Sequence, residues 1–118
     1  MAENVEGGAL ARKIVDLLAE KQATDILLLD IRELASFADY FVIASANSER
    51  QLGAILDTLD DELKPLNARR MKRQGEAQSG WILLDLGDII LHLFQPQERA
   101  YYNLEGLWHM AKPVVRIQ

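Results

Sequence analysis

The sequence contains no cysteine, which excludes disulfides, thiolate nucleophiles and thiolate metal sites. No GxxxxGK[ST] loop and no GxGxxG turn is present, so nucleotide phosphates have no glycine-rich cradle. No apolar run approaches the ~20 residues of a membrane-spanning helix. The opening MAENVEGGAL lacks a basic stretch followed by an apolar one, so no signal peptide is expected, and a cytoplasmic protein without a membrane partner is the default. Basic residues are the minority, 13 against 18 acidic, for a net charge of −5. That argues against wrapping nucleic acid through a general positive surface, and leaves open docking onto a protein or onto RNA through a local basic patch. Prolines number only three, and there is no repeat, linker or low-complexity tract. A chain of 118 residues without such breaks is expected to be one domain.

What is present is organised around WILLDLGDIILHLF, Trp81 to Phe94. Two apolar runs flank Gly87-Asp88, an accepted two-residue hairpin loop in which glycine supplies the positive φ. With that turn, Leu86 faces Ile89, Leu84 faces Leu91 and Ile82 faces Leu93. These six aliphatic residues share one face, because side chains alternate along a strand. The other face carries Asp85 with Ile90, Leu83 with His92, and Trp81 with Phe94. A one-residue slip would scramble this sorting, so the clean split supports the register.

The remaining elements follow from periodicity. Leu10, Ile14, Leu17 and Leu18 mark an amphipathic helix from about Glu6 to Lys21. Thr24 to Ile31 is a continuous apolar run, suited to a strand covered on both faces. Asp39 to Ala46 is a second strand, after a connector from Arg32 to Ala38. Ser48 and Gln51 fit a capping box ahead of a helix that buries Leu52, Ile55, Leu56, Leu59 and Leu63 and ends near Lys64, before Pro65. Ala68 to Arg73 reads as a short edge strand blunted by Arg69, Arg70, Lys72 and Arg73, and Gly75 to Gly80 as a loop. Pro96 opens a last helical region with a stripe of Tyr101, Leu104, Leu107 and Trp108, and Pro113 closes it. Val114 to Gln118 is expected to be a tail, flexible like the first eight or so residues. The order predicts an α/β (α+β) domain: a mixed sheet of about five strands, one crossover connection, and helices packed against the sheet.

Catalytic readings fare poorly. Asp85, Asp88 and His92 could form a metal or acid–base cluster, but no third imidazole is near and the spacing matches no known ligand set. The plainer expectation is that the two aspartates shape the turn and His92 is a partly exposed surface histidine. Ser45 and Ser48 lack the GxSxG elbow and a base. A nucleotidyltransferase needs a Gly-Ser turn and two carboxylates one residue apart on a strand, and neither is found. No catalytic residue, cofactor or metal is expected. The basic cluster from Arg69 to Arg73 could touch phosphate or form a solvated edge. Trp81, on the mixed hairpin face, is the better binding anchor, since tryptophan and tyrosine dominate interface hot spots.

The blocks DYFVIASANSERQ, WILLDLGDIILHLF and RAYYNLEGLWHMA together resemble the ribosomal silencing factor family, also called RsfS, Iojap or YbeB. The linked patterns W-x-L-L-D-x-G-D-x-x-x-H-x-F and R-x-Y-Y-x-L-E-x-L-W are long and specific, and the likeness runs from the first helix through Ala111. Two positions depart from it: Ala46 stands where the family usually has glycine, and Gln74 where it usually has glutamate. The resemblance implies a nucleotidyltransferase-like fold without the active-site carboxylates. It further implies a homodimeric translational repressor that binds the large ribosomal subunit through ribosomal protein L-fourteen and blocks subunit joining when nutrients are scarce. A role in large-subunit assembly is the alternative, and a peripheral contact of the basic cluster with ribosomal RNA is possible under either. Taken with the two-faced hairpin, it makes the expected contacts Trp81, Asp85 and His92 of the hairpin, Asp39 and Tyr40 of the second strand, and Tyr102. Glu105 and Trp108 match the motif and either join the contact or hold the last helix in place.

Overall fold

The computed structural model describes residues 2–67 and 72–118. The chain runs α1 (Ala2–Glu20), β1 (Thr24–Asp30), β2 (Tyr40–Ser45), α2 (Glu49–Asn67), β3 (Lys72–Gln74), a 3-10 turn (Ala77–Ser79), β4 (Trp81–Asp85), β5 (Ile89–Phe94), α3 (Pro96–Tyr102), α4 (Leu104–Leu107) and β6 (Lys112–Ile117). The strands form one mixed sheet in the order β3-β4-β5-β2-β1-β6. Only β2 and β5 run parallel, joined through α2; the other neighbours are antiparallel.

The hairpin has the register read from the sequence. Trp81 pairs with Phe94, Ile82 with Leu93, Leu83 with His92, Leu84 with Leu91 and Asp85 with Ile90. The Leu86 N–H donates to the Ile89 carbonyl at 2.9 Å, closing a two-residue loop with Gly87 at φ +90°. All six aliphatic residues of the core face are buried. They meet Ile14, Val15 and Leu18 of α1 and Leu52, Ile55, Leu59 and Leu63 of α2 in the main core. Apolar periodicity therefore fixes which side of the sheet the helices cover.

The junction of the two long helices rests on Gln51. The Gln51 N–H donates to Ser48 Oγ at 3.0 Å, the expected cap. Its side-chain oxygen accepts from the Asn47 N–H at 2.7 Å, one residue earlier than a standard capping box would have it. Its amide nitrogen donates to the Lys21 and Gln22 carbonyls at 3.3 and 2.9 Å. One side chain thus caps the start of α2 and satisfies carbonyls just beyond the end of α1.

Four expectations change. The sheet has one strand more than the sequence suggests, because the C-terminal stretch is not a tail but β6, the outer neighbour of β1. Pro113 does not close a helix; it lies in that edge strand, where the register against β1 shifts and a missing N–H is tolerated. Helix α2 continues through Pro65 to Asn67, since proline's φ is itself helical and its lost hydrogen bond falls in the last turn. The last helical region is two helices, not one. Asn103 adopts φ +46°, a conformation asparagine accepts more readily than most residues, and it ends α3. The stripe therefore breaks, and Tyr101 and Leu107 are exposed at 81% and 75%. Of the expected edge strand, β3 holds Lys72 and Arg73, both exposed; Arg69 and Arg70 lie outside the described residues.

Candidate docking site on the half-covered sheet face

The sheet face opposite α1 and α2 is only partly covered. Over β1 and β2, the connector after β1 and the α3–α4 segment enclose a second core of Leu27, Leu29, Ile31, Phe41, Ile43 and Phe94, with Trp108 packed on it. Over β4 the cover stops, leaving Trp81, Leu83 and Asp85 half-buried. A groove of about 230 Å³ opens there between Gln74, Gly75, Trp81 and Leu83.

Trp81 is held on three sides. Its ring stacks on Phe94 at 5.1 Å and 25°, and Tyr102 packs on it at 4.6 Å. Its indole N–H donates to His92 Nδ1 at 3.3 Å. That bond requires a lone pair on Nδ1, so His92 is the neutral imidazole with its proton on Nε2. His92 is not the partly exposed histidine the sequence suggests; it is only 4% exposed, edge-on to Phe41 at 5.0 Å. Its Nε2 is buried with no hydrogen-bond partner among the described residues. Burial lowers its pKa from the ordinary 6.5 to about 4, because a charged imidazolium would lose its hydration there.

The other expected contact residues fall in three places. Asp85 shares the face of Trp81, and its Oδ1 accepts the Gly87 N–H at 2.9 Å, so it does shape the turn. Asp39 lies beside that turn: its N–H and that of Tyr40 both donate to the Asp88 carbonyl, at 2.7 and 3.1 Å. Tyr40 itself is buried on the helix-covered side, with Arg32 over its ring at 5.4 Å. The structure brings Trp81, His92 and Tyr102 into one cluster, sets Asp85 and Asp39 at its turn end, and places Tyr40 on the opposite face.

One node escaped the sequence reading. Arg99 of α3 is buried and forks onto Glu105, Nε to Oε1 at 2.7 Å and Nη2 to Oε2 at 3.1 Å. Its Nη1 donates to Ser45 Oγ at 2.8 Å and to the Asp25 carbonyl at 2.7 Å. Asp25 sits at φ +48° in the irregular start of β1. Arg99 therefore bolts the α3–α4 segment to two strands, and Glu105 is a structural partner. The only sequence signal is an arginine six residues ahead of a glutamate within an aromatic block. Of the two departures, Ala46 is fully buried, its N–H donating to the Phe94 carbonyl at 2.8 Å, and its φ is not positive; Gln74 forms a wall of the groove.

A small mixed-sheet domain with a rigid aromatic cluster beside an open groove is the form of a binding module. One oxygen of Asp85 holds its own turn, and His92 holds Trp81. The chain matches the family model described as "Ribosomal silencing factor during starvation" over residues 4–118, and it belongs to that family. It is 41% identical over 99 residues to ribosomal silencing factor RsfS of Zymomonas mobilis, covering 84% of this chain and 74% of that one. It is 35% identical over 98 residues to the mouse protein named mitochondrial assembly of ribosomal large subunit protein 1, covering 80% of this chain and 43% of the mouse protein. A crystal structure of a Chromobacterium violaceum protein superposes with a TM-score of 0.81 at 27% identity, covering 87% of this chain and 86% of the other.

Proposed function

We propose that this protein is a cytoplasmic translational repressor that docks on the large ribosomal subunit through the half-covered sheet face. The contact is ribosomal protein L-fourteen, and the bound domain excludes the small subunit by occupying the surface where the two would meet. The observation that carries this reading is Trp81, a half-exposed aromatic clamped by Phe94, Tyr102 and His92 beside an open groove, in a member of a silencing-factor family. Tyr102, Asp85 and Asp39 flank it as further contacts, while His92 acts from beneath. A standard interface needs ~800 Å² from each partner, which one sheet face of a small domain can supply. Steric exclusion then requires only occupancy and position. In solution the protein is a homodimer.

The test is co-sedimentation with purified subunits at micromolar concentration, followed by a joining assay. The protein should pellet with large subunits and not with small ones, and joining should fall as it is added. Trp81→Glu should lose both effects with its circular dichroism unchanged. Should that variant unfold, Tyr102→Glu, at an exposed position against the Trp81 ring, serves instead. Wild-type protein left in the supernatant would sink the reading. A second reading, assembly of the large subunit, is favoured by the name of the mouse relative; immature large subunits accumulating in a deletion strain during rich growth would support it.

A further inference from the structure

The groove beside Trp81 has a chemistry of its own, and its reading rests on the docking function just proposed. Trp81 brings the only strongly polar donor of its ring, the indole N–H, to His92 inside the protein, so it shows the groove an apolar surface. Leu83 supplies the floor. Gly75, at φ +92°, has no side chain to close it, and a Cβ there would collide with the Trp81 carbonyl oxygen. A cavity of about 230 Å³ so lined suits one large aliphatic or aromatic side chain.

The rim is charged and unbalanced. Two residues along β4 from Leu83, about 7 Å away, lies Asp85, with Asp88 in the turn and Asp39 beside it. Among the described residues none of the three forms an ion pair. Lys72, the Cα partner of Asp85, offsets one of these charges. Arg32, the other nearby cation among the described residues, is already held by both oxygens of Asp30, at 3.0 and 2.7 Å. Arg73 pairs with Leu84 and so belongs to the opposite face. Among the described residues the surplus at this corner is negative, which repels phosphate and attracts a lysine or arginine.

We propose that the groove of Gln74, Gly75, Trp81 and Leu83 is the anchor pocket for one large apolar side chain of a protein partner. The partner presents it about two residues of extended chain from a lysine or arginine that meets Asp39, Asp85 and Asp88. Purified large subunits are the probe. Leu83→Trp and, at its cross-strand partner, Gln74→Trp fill the groove; each should weaken co-sedimentation about tenfold with an unchanged urea midpoint. Asp88→Lys, at an exposed turn position, should weaken binding at low salt and less so at high salt. Wild-type protein that fails to bind would overturn the docking function itself. Wild-type binding with all three variants equal to it overturns only the pocket. Tighter binding by Asp88→Lys would make the occupant nucleic acid. Loss of self-association in Leu83→Trp with subunit binding intact would make it a second copy of the chain. Either result refutes the assignment.

Discussion

His92 makes the acid side of the stability curve readable. Its imidazole is buried, its Nδ1 accepts from Trp81 and its Nε2–H meets no acceptor. Protonation would place a second donor against the Trp81 N–H and a charge among Phe41, Trp81 and Phe94. In the unfolded chain the ring titrates at the ordinary 6.5, in the folded one at about 4. The unfolded state therefore binds the extra proton first as pH falls. Stability is full above 6.5, declines between 6.5 and 4, and levels off below. Two and a half pH units of separation correspond to about 3 kcal/mol in all, of which about 2 kcal/mol is lost by pH 5. The Asp30 carboxyl, lowered by its hydrogen bonds to Arg32, loses its contribution only as pH falls below the usual carboxylate range, so it leaves this window clear. Urea unfolding at pH 7 and pH 5 should show the midpoint falling by about 1 M. His92→Phe, which has no proton to gain, should lose that fall. Equal pH slopes for wild type and His92→Phe would show that the ring is not held neutral in this cluster, and would refute the reasoning.

Three further outcomes follow from single contacts. Arg99→Met strands the Glu105 carboxylate and the Ser45 hydroxyl and should cost about 3 kcal/mol, seen in urea unfolding together with faster amide exchange in α3 and α4. Ser48→Ala removes the α2 cap and should cost about 1 kcal/mol in the same measurement. Gly75→Ala demands a left-handed backbone from a residue with a Cβ and drives that carbon into the Trp81 carbonyl oxygen; a loss of about 2 kcal/mol or more is expected, and a neutral result would mean the loop relaxes freely.

The hairpin was legible because three signals agreed: a period of two, a glycine where φ must be positive, and a face sorting that only one register preserves. The start of α2 was legible because Ser48 and Gln51 sit at capping distance. The burial of His92 was not, because alternation says which face a residue shares but not whether a distant segment covers that face. Its cover comes from Phe41, Phe94 and Trp81, and Phe41 lies on another strand about fifty residues earlier in the chain. Strand β6 was hidden for a related reason: proline-bearing and largely exposed, it is a strand only because β1 offers an unpaired edge. The break at Asn103 turns on a single residue's left-handed backbone, with the Arg99–Glu105 pair spanning it, and helical periodicity carries no signal of it. Of the expected contact residues, Trp81 and Tyr102 stand out within the aromatic blocks, but their packing on one another joins segments about twenty residues apart, and Tyr40 falls on the far face by the parity of β2.

The arrangement around Trp81 carries a conflict that one substitution can expose. A buried donor without an acceptor is a standing cost of about 1–3 kcal/mol, and a ring with no polar atom would avoid it. In return His92 accepts the indole N–H and helps fix the Trp81 plane against Phe94, so that little rotamer entropy is left to lose when a partner docks. An immobilised side chain of this size is worth about 0.5–1.5 kcal/mol to an interface. His92→Phe keeps an aromatic ring, somewhat larger, and removes both effects. It should match or exceed the wild type in stability at pH 5 yet bind large subunits about two- to tenfold more weakly, with a red-shifted or broadened Trp81 emission reporting the freed ring. A variant that gains acid stability and binds as tightly as the wild type would mean that the histidine contributes nothing to docking, and that the orientation of Trp81 is set by Phe94 and Tyr102 alone.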